Sequence, residues 1–256
     1  MEIDVEGALG RVADRLSEAN SAFFFTGAGV STESGIPDFR GPNGLWKKID
    51  PKLFTIQNYV RDPEIRKQSW QMRLDGELFS ADPNPGHTAI ADIERNGFSS
   101  AVVTQNIDGL HQAAGSTDVI EVHGTVRETM CLDCGERLPV GVTVARVEAG
   151  DADPACSTCG GILKVATISF GQQLDPEVLD RAFELAESAD VCVAAGSSLS
   201  VTPAAYVPAR VAERGKCLVI VNEEPTELDS LAAERISAKT GAALPALAAL
   251  LSGSTD

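Results

Sequence analysis

GAGVSTESGIPDFRGPNGLW, residues 27–46, directly follows the apolar run Ala22-Phe23-Phe24-Phe25-Thr26. A strand running into a glycine-rich turn ordinarily opens a helix whose first turn holds a phosphate. No clear helix pattern follows here. The chain continues Gly35-Ile36-Pro37-Asp38-Phe39-Arg40, mixing a helix breaker, an acid, an aromatic and a base. Gly27-Ala28-Gly29 begins a dinucleotide fingerprint, but Thr32 stands where its third glycine belongs. The turn therefore points to a nucleotide and away from an ordinary hydride-transfer dehydrogenase.

Working outward, apolar runs bounded by turn residues recur at Ser100–Thr104, Val119–Val122, Ala166–Phe170, Val191–Ala195 and Leu218–Val221. Near-continuous runs fit strands buried on both faces of a parallel sheet. Helical patterns lie between them, at His87–Arg95, Glu177–Ser188, Ala204–Arg214 and Ala242–Leu251. An apolar stripe of Val5, Leu9, Val12 and Leu16 marks a further helix at the start. The expected fold is α/β, a Rossmann-like doubly wound parallel sheet. The alternation breaks twice, so residues 1–48, 83–129 and 165–256 are expected to form the nucleotide-binding domain. Residues 49–82, helical, and 130–164, rich in Gly, Asp and Cys, are expected to form a smaller second domain. Ser252–Asp256 reads as a frayed tail.

Polar residues cluster just past the predicted strands: Gln105, Asn106 and Asp108; His123; Gly196, Ser197 and Ser198; Asn222, Glu223 and Glu224. Carboxyl ends of parallel strands share one edge, so with Gly27 these five segments converge on one crevice. Backbone N–H groups and hydroxyls of Gly196-Ser197-Ser198 suit phosphate, and Asn222 or Glu223 suits a ribose. Of three histidines, His87 opens a helix and reads as a capping or packing residue. His111, on the first turn of another helix, is structural or near the site, with structure the better reading. His123 ends an apolar run and precedes Gly124, which makes it a candidate general base; a packing role stays open.

Four of the six cysteines form Cys131-x2-Cys134 and Cys156-x2-Cys159, 21 residues apart. Four thiolates at this spacing make a closed tetrahedral Zn²⁺ site, structural because no coordination position is left for substrate. Cys192 and Cys217 lie in apolar runs and read as small buried hydrophobes. The 256 residues are 43% hydrophobic, enough for one large core with a small satellite. A net charge of −16 argues against nucleic acid as a partner. No apolar run approaches the roughly 20 residues of a membrane span, and no signal peptide is read, so a soluble cytoplasmic protein is expected.

Together these segments resemble the sirtuins, NAD-dependent protein deacylases, of the bacterial or archaeal single-domain type. The resemblance rests on GAGVSTESGIPDFRGPNGLW, TQNIDGLHQAAG, EVHG, the cysteine quartet, ISFG, GSSLSVTPAA and VNEEPT, in the family's order from Phe23 to Leu251. It implies NAD and an acyl-lysine peptide or protein meeting in a cleft beside a zinc-ribbon and helical module. Nicotinamide leaves, the acyl oxygen joins the ribose, and the products are deacylated lysine and O-acyl-ADP-ribose. By the same resemblance His123 is the general base and Asn106 orients the ribose and water. Ile107 and Asp108 hold the carboxamide, and Gln105 contacts the ribose. Gly27, Ala28, Gly29, Thr32, Gly196, Ser197 and Ser198 surround the phosphates. Asn222, Glu223 and Glu224 meet the adenosine ribose, and Thr240 approaches adenine. Asp38, Phe39, Arg40 and Trp46 belong to a loop over the nicotinamide end, and Phe170 and Gly171 pair with the peptide as an added strand.

Val165 and Gln172 depart from the family pattern, which has Pro and Glu there. Members that take succinyl or malonyl groups carry a Tyr–Arg pair; this chain has Arg73 without the Tyr and keeps Asp38, which favours acetyl and other neutral acyl groups. The rival readings are a mono-ADP-ribosyltransferase, a deacylase for longer acyl chains, and a non-catalytic NAD sensor or zinc-ribbon adaptor.

Overall fold

The computed structural model describes residues 4–38, 51–75 and 81–253. Among these, nine strands form two sheets. The larger contains β1 (Ala22–Thr26), β2 (Ala101–Thr104), β3 (Val119–Glu121), β7 (Val191–Ala195), β8 (Cys217–Val221) and β9 (Glu234–Ile236). Its order is β3-β2-β1-β7-β8-β9 and every pairing is parallel. The smaller contains β4 (Gly124–Cys131), β5 (Arg137–Pro139) and β6 (Leu163–Thr167), antiparallel in the order β5-β4-β6.

The apolar runs are continuous because both faces of the large sheet are covered. Phe24 joins a core with Leu9, Val12 and Leu16 of α1 (Val5–Glu18), Ile90 and Ile93 of α4 (Pro85–Arg95), and Leu244 and Leu247 of α9 (Thr240–Gly253). Phe23 and Phe25 point the other way, to Ala182 and Ala186 of α7 (Pro176–Ser188) and Val207 and Val211 of α8 (Tyr206–Glu213). Helix starts follow their chemistry. Asp4 caps α1 by accepting from the Gly7 amide at 2.9 Å, and Asp175 caps α7, whose first residue is Pro176.

Residues 56–75 carry α2 (Ile56–Arg61) and α3 (Pro63–Asp75), with no strand. A third core joins Trp70, Val126, Cys131, Val147, Leu163 and Val165. Arg66 of α3 reaches Asp153 with a bidentate pair at 2.8–3.0 Å, and the Tyr59 hydroxyl donates to the Leu163 carbonyl at 2.8 Å. The helical segment is thereby tied to the cysteine-bearing one.

Two expectations need correction, and two elements carry no sequence signal. The run Ala166–Phe170 is no strand of the parallel sheet: β6 ends at Thr167 and pairs antiparallel with β4. All five β6 residues are buried, so the alternation that marks an antiparallel strand does not show. Strand β9, short and charged, and α6 (Val140–Glu148), begun by Pro139 and interrupted by Gly141, gave no readable period. Ser252 is not frayed but sits in the last turn of α9.

Candidate active site

Register fixes the edge on which the site forms. Thr26 pairs with Thr104 and Ala195, Thr104 with Glu121, and Ala195 with Val221. The strands therefore end level, and β1 lies where the order reverses, the position at which open α/β sheets bind ligands.

The turn after β1 packs hard against the end of β7. The Gly27 amide donates to the Ala195 carbonyl at 3.2 Å and the Gly29 amide to Gly196 at 2.8 Å. A Cβ on Gly29 would lie 2.8 Å from the Gly196 Cα, and one on Gly196 would collide with the Val30 nitrogen. Gly196 also has φ of 61°, so glycine is required there twice over. Ala28–Val30 and Thr32–Ser34 then form two short 3-10 turns in place of a longer helix.

The other strand ends gather around this turn. Gln105 Nε2 donates to Ser197 Oγ at 2.8 Å, linking β2 to β7. Ser198 and Ser200 hydroxyls lie 2.9 Å apart. Thr32 and Thr240 each donate to the Gly29 carbonyl, at 3.0 and 3.3 Å. Asn222 Nδ2 donates to the Glu224 carbonyl at 2.7 Å within the loop after β8, where Glu223 and Glu224 are exposed. Asp38 is half-buried. Phe39, Arg40 and Trp46 lie outside the described residues.

Behind this rim lies a buried polar network. Asn106 Nδ2 donates to the Gly27 carbonyl at 3.1 Å and to Ser31 Oγ at 3.0 Å. Ser31 Oγ donates to Asp108 Oδ2 at 2.7 Å, and Asp108 Oδ1 accepts from the Leu110 amide at 3.0 Å. Each Asp108 oxygen keeps acceptor capacity beyond these bonds. Ile107 accepts from the Val126 amide at 2.9 Å and packs on the third core, joining the site to the small sheet. His87 completes a capping box with Asn84 at the start of α4 and approaches Ser31 Oγ at 3.4 Å. His111 Nε2 meets Thr26 Oγ1 at 2.8 Å, and its ring meets that of His87 edge-on at 4.9 Å. Burial pushes His87 down to about 4 and His111 to about 3, so both are uncharged at neutral pH.

His123 lies in the turn between β3 and β4, two residues past β3. Its Nδ1 is 3.0 Å from the Gln105 carbonyl. A carbonyl only accepts, so Nδ1 carries the proton and Nε2 keeps its lone pair. The main chain is also held: the Ile168 amide donates to the His123 carbonyl at 2.8 Å. Two residues on, Phe170 is half-exposed and exchanges main-chain bonds with Phe54 and Ile56 at 2.8 and 3.0 Å, and Gly171 follows.

The four Sγ atoms of Cys131, Cys134, Cys156 and Cys159 all lie within 4.8 Å of one another, with Cys131–Cys159 at 3.5 Å and Cys134–Cys156 at 3.8 Å. A tetrahedron with Zn–S bonds of about 2.3 Å has S···S edges of about 3.8 Å. The donor set fits a structural Zn²⁺, and all four positions are protein sulfurs.

The sequence profile of the Sir2 family matches residues 27–203, more than half of the chain. The chain belongs to the Sir2 family. It is 52% identical over 227 residues to NAD-dependent protein deacetylase 2 of Streptomyces coelicolor, covering 87% of this chain and 94% of that one. It is 45% identical over 219 residues to an NAD-dependent protein deacetylase of Caldivirga maquilingensis, covering 85% and 83%. A solved Sir2 homolog–NAD complex superposes with a TM-score of 0.86 at 35% identity, over 96% of this chain and 94% of that one. A Sir2 variant with a deacetylated p53 peptide and 3′-O-acetyl ADP ribose gives 0.85 at 34%, over 96% and 98%.

Ser31 is the site residue of this Sir2-family chain that sequence reasoning missed. It bonds to both Asn106 and Asp108, yet a lone serine in a polar turn carries no spacing signal. Burial also lowers the His123 pKa from 6.5, partly offset by the bond to Gln105. The neutral base therefore persists below pH 6.5. The acid limb of a kcat/KM profile for a His123-dependent reaction is expected to have its midpoint below 6.5; a midpoint above it would contradict this setting of the imidazole.

Proposed function

We propose that this Sir2-family chain is an NAD-dependent protein-lysine deacetylase with His123 as its general base. The observation that carries the reading is His123 Nε2 left basic beside the Asn106–Ser31–Asp108 network, at the edge where the parallel sheet reverses order. Bound NAD supplies the sugar carbon that the acyl oxygen joins and the nicotinamide that departs from it. Around it, the small-residue turn of Gly27, Ala28 and Gly29 against Gly196, with Thr32 beside it, lets the phosphates approach closely, and the hydroxyls of Ser197 and Ser198 donate to them. Asn222, Glu223 and Glu224 hold the adenosine ribose, and Thr240 lies toward the base. Asp108, with Ile107, accepts the carboxamide N–H and orients the leaving group. Gln105 and Asn106 orient the second ribose, and Asn106 also holds the water. His123 Nε2 takes the proton from a ribose hydroxyl, which turns that hydroxyl into the nucleophile that receives the acyl group. The family resemblance alone assigns Asp38, Phe39, Arg40 and Trp46 to the nicotinamide end.

The acyl-lysine substrate binds as an extended segment along Phe170–Gly171. The parallel sheet with its helices forms the NAD-binding unit, and α2 and α3 with the antiparallel sheet the smaller one; β4 and β6 move the expected boundaries at 129/130 and 164/165 to the ends of that sheet, at 124 and 167. Among the described residues no helix is long and apolar enough to cross a membrane; the acidic chain acts in the cytoplasm on protein lysines. A panel of acyl-lysine peptides offered with NAD tests the assignment. Acetyl is expected to turn over best. Preference for a long acyl chain would reassign the substrate, and no turnover of any peptide would overturn the function.

A further inference from the structure

Lys164 is 5% exposed and, among the described residues, forms no ion pair. Its ammonium donates to the main-chain carbonyls of Val165, at 3.2 Å, and Thr167. The Tyr59 ring lies beneath it at 5.9 Å, and the Tyr59 hydroxyl holds the neighbouring Leu163 carbonyl. Burial, with repulsion from Arg73, lowers its pKa to about 7. A buried lysine without a carboxylate is costly, and an apolar side chain would fill the same core at no such cost. The cost calls for a use.

The backbone that Lys164 grips is the backbone on which His123 rests. Gly124 is the register partner of Thr167. Its φ is 75°, and a Cβ there would collide with the Ala166 carbonyl, so the His123–Gly124 turn lies directly on Ala166–Thr167. The next amide, Ile168, holds the His123 carbonyl at 2.8 Å. His123 thus has two anchors: Gln105 for its ring and the end of β6 for its main chain. Only the second passes through Lys164.

We propose that Lys164 is a positioning residue for His123: by clamping the Val165 and Thr167 carbonyls it fixes the end of β6 against which the His123 turn is set. The proposal rests on the deacetylase reading. The base acts after nicotinamide has left, so a displaced His123 slows acyl transfer while leaving the earlier step intact.

The test compares two rates in the zinc-loaded chain at saturating NAD and acetyl-lysine peptide: exchange of labelled nicotinamide into NAD, and deacetylation. In Lys164→Met, deacetylation is expected to fall about tenfold or more while exchange stays within about twofold, since small misplacements of a reacting group are costly. Lys164→Gln, which keeps a donor for one carbonyl, falls between Met and the unchanged chain. If the Met variant loses its fold, judged by zinc content and circular dichroism, the Gln variant carries the same comparison. Parallel loss of both rates, or loss of neither, overturns the role of Lys164 and leaves the deacetylase reading standing. Absence of both activities from the unchanged chain overturns the two together.

Discussion

Replacing His123 by Ala is expected to lower deacetylation by about 10²–10⁴-fold, the usual contribution of a positioned general base. Zinc content and nicotinamide exchange should change little. The reason is geometric. Among the described residues the imidazole's hydrogen bond is the one from Nδ1 to the Gln105 carbonyl, so its removal is expected to leave the Asn106–Ser31–Asp108 network whole. In the proposed mechanism that network serves nicotinamide departure, and His123 the proton transfer after it. Paired measurements of exchange and deacetylation on the variant decide the matter. Deacetylation at the unchanged rate would remove His123 from the mechanism, and equal loss of both rates would place it in the earlier step.

Removing zinc is expected to have the larger effect on structure. Structural zinc in small metal-bound modules contributes on the order of 10–16 kcal/mol to folding. The third core is small, with Cys131 and Cys156 themselves among its buried members. Without the metal, four sulfurs crowded within 4.8 Å hold nothing together. Strong chelation, or Cys156→Ser, should abolish amide protection across residues 124–167 in hydrogen exchange. Strands β1, β2, β7 and β8 keep theirs, because their cores lie on the faces of the larger sheet. Deacetylation should be lost as well, since β4 and β6 carry the His123 turn. Protection of 124–167 that survives metal removal would show that the zinc is dispensable for folding.

What was legible in the sequence follows from how each feature is encoded. Strands β1, β7 and β8 are covered on both faces, so their apolar runs stand out, and the polar residues after them mark the ligand edge. The cysteine spacing is a local code, because two turns of one pair each bring four sulfurs together. Less was legible where the determinant is long-range. Residues 163–167 are buried on both faces like a parallel strand, and only pairing with β4 shows otherwise. Ser31 matters because Asn106 and Asp108 reach it from 75 and 77 residues away. Lys164 looks like any surface lysine until the fold buries it. His123 follows the run Val119–Val122 and lies in the turn after β3, where its ring meets the Gln105 carbonyl, a contact with a residue 18 positions earlier that no spacing signals.

The most direct measurement is the mass of the products formed from NAD and an acetyl-lysine peptide. An NAD-dependent deacetylase releases nicotinamide only when the acetylated peptide is present, and one O-acetyl-ADP-ribose appears for each nicotinamide and each deacetylated lysine. ADP-ribose attached to protein with the acetyl group still on lysine would contradict it.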